Sequence, residues 1–149
     1  DSLQWAKPPA RFEGGLGNFS GMIATGAAID YLSKQDMDAV HEHEVKLNKI
    51  MTNGVKDLNG IEIIGPEDAS LRGGICSLLM HELPAHDMAI LLDEAANVMV
   101  RSGQHCVHSW FNSKGHVNGS LRASAYMYNT EEEAKLFSDT LEEIVNAFS

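Results

Sequence analysis

The sequence predicts an α+β domain: a small, mostly antiparallel sheet with helices packed on one face. Three observations point there. Two helical stripes come first, short strand-like runs follow singly or around one helix, and the chain closes on a strongly amphipathic helix. Helices and strands grouped this way, rather than in strict alternation, suit an antiparallel sheet. A chain of 149 residues can bury roughly 68–70% of the surface its unfolded form exposes, so it needs no disulfide or metal to fold.

Residues 1–17 carry two prolines in DSLQWAKPPA and three glycines in RFEGGLGN, which suits no helix interior. With Trp5 and Phe12 but no period, this stretch reads as an extended segment docked on something else. Residues 18–149 read as the domain proper. Over 18–33, Phe19, Ile23, Ala27 and Tyr31 share one helical stripe, and Gly21 and Gly26 permit close approach. Asp36 is placed to cap a second helix with the stripe Val40, Leu47, Met51, Val55 and Leu58, interrupted late by Gly54. GIEIIGP (60–66) reads as a short strand closed by Gly-Pro, and GGICSLLMHEL (73–83) as a buried strand. Pro84 opens a third helix over 84–96. NVMVRSG (97–103) and SLRASAYMYN (120–129) read as strands joined by a long loop. The last helix is the clearest: Thr130 and Glu133 form a capping box, and Phe137, Leu141, Ile144, Val145 and Phe148 make its apolar face.

Composition excludes some functions. The net charge is −10, from 21 acidic and 11 basic residues, which argues against nucleic acid as a partner. No apolar run approaches the ~20 residues of a membrane span, and no charged start followed by an apolar h-region marks a signal peptide. Two cysteines, Cys76 and Cys106, make a poor disulfide framework and suggest a reduced, cytoplasmic protein. The chain starts at Asp1, not Met, which suggests a piece of a longer protein.

The chemistry gathers around VRSGQHCVHSW (100–110). Strand alternation sends Leu121, Ala123, Ala125 and Met127 toward the helices and Arg122, Ser124 and Tyr126 to the other face. Likewise Val98 and Val100 part from Met99 and Arg101. Two arginines thus bracket the loop holding His105 and Cys106. A nearby cation favours the nucleophilic thiolate, and an arginine fork suits a carboxylate. The set suggests work on an amino or keto acid. Spacing alone leaves open that Cys106 is an idle loop thiol and Arg122 a surface charge. It also leaves a metal reading through His105, Cys106, His108 and His116, although paired ligand spacings of the structural zinc type are missing. Cys76 reads as a core thiol and HEHE (41–44) as a solvated face.

With these residues in hand, the chain resembles the C-terminal part of class V aminotransferase-family enzymes, most of all the group II (SufS-like) cysteine desulfurases. The resemblance rests on PARFEGGLGNFSGMIATGAAIDYL, on HDMAILLDEAANVMVRSGQHC with its R-x-G-x-H-C run, and on LRASAYMYNTEEEAKLFSDTLEEI, and covers the chain from about Pro9 onward. It implies the small C-terminal domain of a fold-type I enzyme that uses pyridoxal phosphate, held by a lysine, to convert L-cysteine to L-alanine and an enzyme-bound persulfide for iron–sulfur cluster assembly. By position Cys106 is then the persulfide-carrying nucleophile and Arg122 the holder of the substrate carboxylate, with Arg101 and His105 lining the cleft. Gly15 and Leu16 offer backbone amides to the cofactor phosphate across a homodimer. The implied partners are the protein's own large cofactor-binding domain, the second subunit and a sulfur-acceptor protein; no metal is implied. The pattern is departed from at Gln104, where a histidine is usual, and at Leu16, where a threonine hydroxyl would reach the phosphate. The cofactor lysine's motif is missing too, so this chain alone is expected to be inactive. Related lyases or epimerases of the same family, such as a selenocysteine lyase, and a stand-alone module are the alternatives.

Overall fold

The computed structural model describes residues 2–148. They divide into two compact units, with the division between Asp36 and Met37. The helix after Asn18 lies in the first of them. That helix, α1 (Phe19–Leu32), is capped by Asn18, whose Oδ1 accepts from the Gly21 N–H at 3.0 Å. It buries none of its residues: Phe19, Met22, Ile23, Ile29 and Tyr31 are all exposed. The apolar stripe is present in the sequence, but nothing in this unit covers it.

The second unit is the α+β domain. Its helices are α2 (Met37–Val55), α3 (Ala85–Ala96), α4 (His108–Ser113) and α5 (Glu131–Phe148). Its strands are β1 (Ile61–Ile63), β2 (Ile75–Met80), β3 (Arg101–Gly103) and β4 (Ser120–Ser124). All pairings are antiparallel, in the order β1-β2-β4-β3. Register sorts the side chains. Cys76 lies opposite Ala123 and Leu78 opposite Leu121, and all four are buried. They meet Leu47, Met51 and Val55 of α2, Met88 and Leu92 of α3, and Phe137, Leu141 and Ile144 of α5 in one apolar cluster. Each fully buried leucine there stabilises by roughly 1.5–3 kcal/mol relative to exposure.

The helices seat closely because the sequence allows it. A Cβ on Gly54 would lie 2.4 Å from Ser138 Cβ, so this glycine is where α2 and α5 touch rather than a helix breaker. A buried polar cluster ties α2 to the start of β2. The Asn48 amide donates to the Gly73 and Ile75 carbonyls, and its oxygen accepts from Thr52 Oγ1 at 3.0 Å. Arg72 Nη2 in turn donates to Thr52 Oγ1 at 2.6 Å. Beside it the Cys76 thiol is pushed up by burial, with the Arg72 charge pulling the other way.

Three expectations need correction. β3 is three residues long, not seven. Asn97 adopts φ 54° and closes α3, donating its N–H to Asp93 O at 2.8 Å, so 97–100 approach the sheet without pairing, although Val98 and Val100 still pack on the core. β4 stops at Ser124, because Tyr126–Asn129 form a turn in which Asn129 N–H donates to Tyr126 O at 2.9 Å. Met127 sits in that turn and takes no part in the core. The loop between β3 and β4 contains α4. The capping box at α5 is present in both directions: Glu133 N–H donates to Thr130 Oγ1 at 3.2 Å and Thr130 N–H to Glu133 Oε2 at 3.0 Å. Ser149, the expected end of that helix, lies outside the described residues.

Burial and capping make separable contributions to stability. Leu141→Ala should cost about 2–5 kcal/mol and Thr130→Ala about 1 kcal/mol in urea unfolding of the chain, with unchanged slopes. A Thr130→Ala cost matching that of Leu141→Ala would contradict this ranking.

Candidate active site: a thiol turn beside paired arginines

The sheet face away from the helical core carries the charge. Arg101 on β3 lies directly opposite Arg122 on β4. Like charges across an antiparallel pair destabilise it, and no described carboxylate pairs with either. Arg122 Nε is buried with no hydrogen-bond partner among the described residues. A buried guanidinium donor left open beside a second arginine is the arrangement that a carboxylate would relieve.

The loop from 104 to 119 folds over the same face. Gly103 and Ser120 are register partners at its neck. A Cβ on Gly119 would lie 2.2 Å from the Gly103 carbonyl carbon, and Gly119 has φ +75°, so only glycine fits there. Inside the loop, α4 buries Phe111 as an anchor. Val107 N–H donates to Gln104 O at 2.8 Å, closing a turn whose central residues are His105 (φ 49°) and Cys106 (φ 62°). Two consecutive left-handed non-glycine residues form a mirror-image turn that glycine and asparagine normally occupy. Each costs of order 1–3 kcal/mol and persists only where surrounding contacts over-determine it. The turn presents Cys106 as an exposed free thiol.

His105 points back into the site. Its Nε2 lies 3.1 Å from Oγ of Ser120, which is fully buried, and its ring is tilted against Phe111 with centroids 6.3 Å apart. Burial first, and then the Arg122 charge, hold the imidazole below its ordinary value of 6.5. The structure therefore brings Arg101, Arg122 and His105 to one face, as alternation predicts for the arginines, and Cys106 follows His105 in the turn. Gly15 and Leu16 lie in the other unit, with Leu16 fully open to solvent. Among the described residues, no three His, Cys, Asp or Glu side chains gather in a way that could hold a metal ion. His116 instead stacks at 6.3 Å from Trp110. Ser120 and Gln104 are the site residues that pattern reading did not use. The Gln104 amide donates to Asn112 Oδ1 at 3.2 Å and to Val117 O at 2.8 Å. The signal for Ser120 was its place in β4 alternation, on the Arg122 face.

Pyridoxal phosphate requires a lysine amine, and this face has none. Lys114 ends α4 on the exposed side, Lys46 pairs with Glu131 and Lys135 with Asp139. The donor set fits a small anion and a reacting sulfur, not the cofactor's aldehyde.

The fold and site define a class: an α+β domain whose sheet pairs two arginines and whose following loop carries an exposed thiol on a left-handed turn. A family model described as aminotransferase class-V matches residues 1–137, and the chain belongs to that family. A probable cysteine desulfurase of Methanothermobacter thermautotrophicus is 38% identical over 141 residues, covering 91% of this chain and 34% of that protein. One from Pyrococcus abyssi is also 38% identical over 141 residues, covering 95% and 34%. The apo structure of a cysteine desulfurase from Thermococcus onnurineus superposes with a TM-score of 0.83 at 35% identity, over 97% of this chain and 35% of that one. A cysteine desulfurase of Escherichia coli, at 23% identity and a TM-score of 0.81 over 95% of this chain and 34% of that one, shares the fold. The chain spans about a third of the length of the curated relatives it matches.

A depressed imidazole has a definite pH consequence. The unfolded state takes up a proton near the ordinary value while the folded state resists it. Stability from this group is therefore complete above that value and is lost as pH falls from about 6.5 toward the lower folded value. His105→Gln should flatten that part of the stability–pH curve in denaturant titrations; an unaltered curve would show that His105 is not the responsible group.

Proposed function

We propose that this chain is the C-terminal small domain of a cysteine desulfurase, supplying the sulfur-accepting thiol and the substrate-carboxylate site. The observation that carries the reading is an exposed Cys106 on a left-handed turn tied through His105 to Ser120, two residues before Arg122 on β4, whose Nε is buried and unpartnered opposite Arg101. The similarity to probable cysteine desulfurases supports the substrate class.

In this reading Arg122 grips the carboxylate of L-cysteine, with Arg101 adding positive field across the strand pair. The Cys106 sulfur attacks the substrate sulfur. A sulfur–sulfur bond forms, the substrate carbon–sulfur bond breaks, and the carbon keeps the electron pair on its way to alanine. Cys106 leaves as a persulfide for a thiol-bearing acceptor protein. His105, kept neutral by burial and by Arg122, orients the turn through Ser120. The reading assigns the cofactor lysine to the remainder of the full-length protein. It seats residues 2–36 on that remainder and on a second subunit, since this unit buries none of its apolar side chains, Trp5, Phe12 and Phe19 among them. The backbone at Gly15 and Leu16 then faces the cofactor phosphate of the partner subunit. The cytoplasm suits a protein that must keep a free thiol.

The test uses the full-length enzyme. Cys106→Ala should abolish persulfide formation and alanine release while leaving cysteine binding intact. Arg122→Ala should instead raise KM, by at least about tenfold for a lost charge-assisted pair. Wild-type alanine release by Cys106→Ala would sink the proposal.

A further inference from the structure

The turn that carries Cys106 is tied to its loop by the His105 ring on Ser120 and, at its first residue, by the Gln104 side chain. Gln104 supplies the carbonyl that closes it, accepting from Val107 N–H at 2.8 Å. The same residue's amide nitrogen donates twice, to Val117 O at 2.8 Å and to Asn112 Oδ1 at 3.2 Å. A backbone carbonyl only accepts, so the Gln104 amide must present its NH₂ toward Val117. Asn112 must then turn its oxygen toward Gln104. Both hydrogens of one nitrogen are thereby committed, one to the segment entering β4 and one to α4. Among the described residues of 104–119, Gln104 is the one whose side chain bonds both the helix and the return segment.

We infer that Gln104 is a positioning residue: its side chain over-determines the His105–Cys106 turn and so sets where the Cys106 sulfur stands relative to Arg122. The inference rests on the reading of Cys106 as the sulfur acceptor. The energetics give it a reason. Two left-handed non-glycine residues in succession relax unless something holds them; the Val107 N–H bond closes the turn and the His105 ring holds one side of it on Ser120, and neither bond reaches α4. The Gln104 amide ties the first residue of the turn to both flanks of the loop. With those ties gone the turn can relax, and a shift of about 1 Å at a reacting atom can cost on the order of 10²-fold in rate. Binding of the substrate carboxylate, carried by Arg122 in the sheet itself, stays as it was.

The experiment compares Gln104→Glu with Asn112→Asp in the full-length holoenzyme. Gln104→Glu keeps the shape but removes both donated hydrogens and sets its oxygens against two others. Asn112→Asp keeps the acceptor. For Gln104→Glu, kcat for alanine release should fall about tenfold or more, with KM for cysteine within about twofold. Amide hydrogen exchange over 105–118 should accelerate in the same variant. Asn112→Asp should stay within about twofold of wild type in kcat. Gln104→Met, which removes the donors without adding charge, gives the same pattern and replaces the glutamate variant if that one misfolds. Wild-type kcat in Gln104→Glu and Gln104→Met overturns the inference, as does a fall in kcat with unchanged exchange, or a loss in Asn112→Asp equal to that of Gln104→Glu. If Cys106→Ala leaves turnover intact, the functional reading fails by itself, and the exchange measurement still reports whether Gln104 holds the turn.

Discussion

The register of β4 against its two neighbours is the constraint on which the domain depends. Leu121 and Ala123 face the helices, and Arg122, between them, cannot. A slip of one residue would exchange the two sets, driving a guanidinium into the apolar cluster and stripping two side chains from it. Burying an unpaired charge costs several kcal/mol at least, so the register is not negotiable. Because β3 pairs with the same strand, Arg101 is brought to Arg122 by the same choice. Packing on one face of β4 thus sets the electrostatics of the other.

From that strand outward the site is a problem of closing a loop. Gly103 and Gly119 touch so closely that no side chain fits between them, which brings the two ends of 104–119 together over the charged face. Phe111 is buried within the loop, and Ser120 offers a fully buried hydroxyl at the loop's foot. His105 takes it. The strain of the His105–Cys106 turn is then a local cost carried by non-local contacts.

Much of this was legible beforehand, and the failures have physical causes. Alternation placed Arg101 and Arg122 because a sheet with one buried face has a strict period of two. The capping box located α5 because Thr130 and Glu133 satisfy each other's backbone whatever the tertiary context. The boundaries of β3 and β4 went wrong where one asparagine overrode a run of strand-favouring residues: Asn97 by its left-handed cap, Asn129 by accepting from Tyr126 N–H at 3.0 Å. α4 was invisible because six residues are too few for an apolar period; its one buried side chain, Phe111, is defined by the loop around it. α1 was legible as a helix, but periodicity shows that a face is apolar and not what covers it.

The charge distribution links the fold to the chemistry. The chain carries a net charge of −10, yet between Glu94 and Glu131 there is no acidic residue, while Arg101, Lys114 and Arg122 fall inside that gap. A protein with this net charge repels anions at a distance. An acid-free stretch folded over one sheet face reverses that locally, where the Debye length of about 8 Å at physiological salt lets near charges dominate far ones. An anion at that face meets Arg101 and Arg122 with no described carboxylate paired to either. The same gap removes the one class of side chain that would have paired with the arginines and closed the site. The missing carboxylates are as much a part of this site as the arginines they leave unpaired.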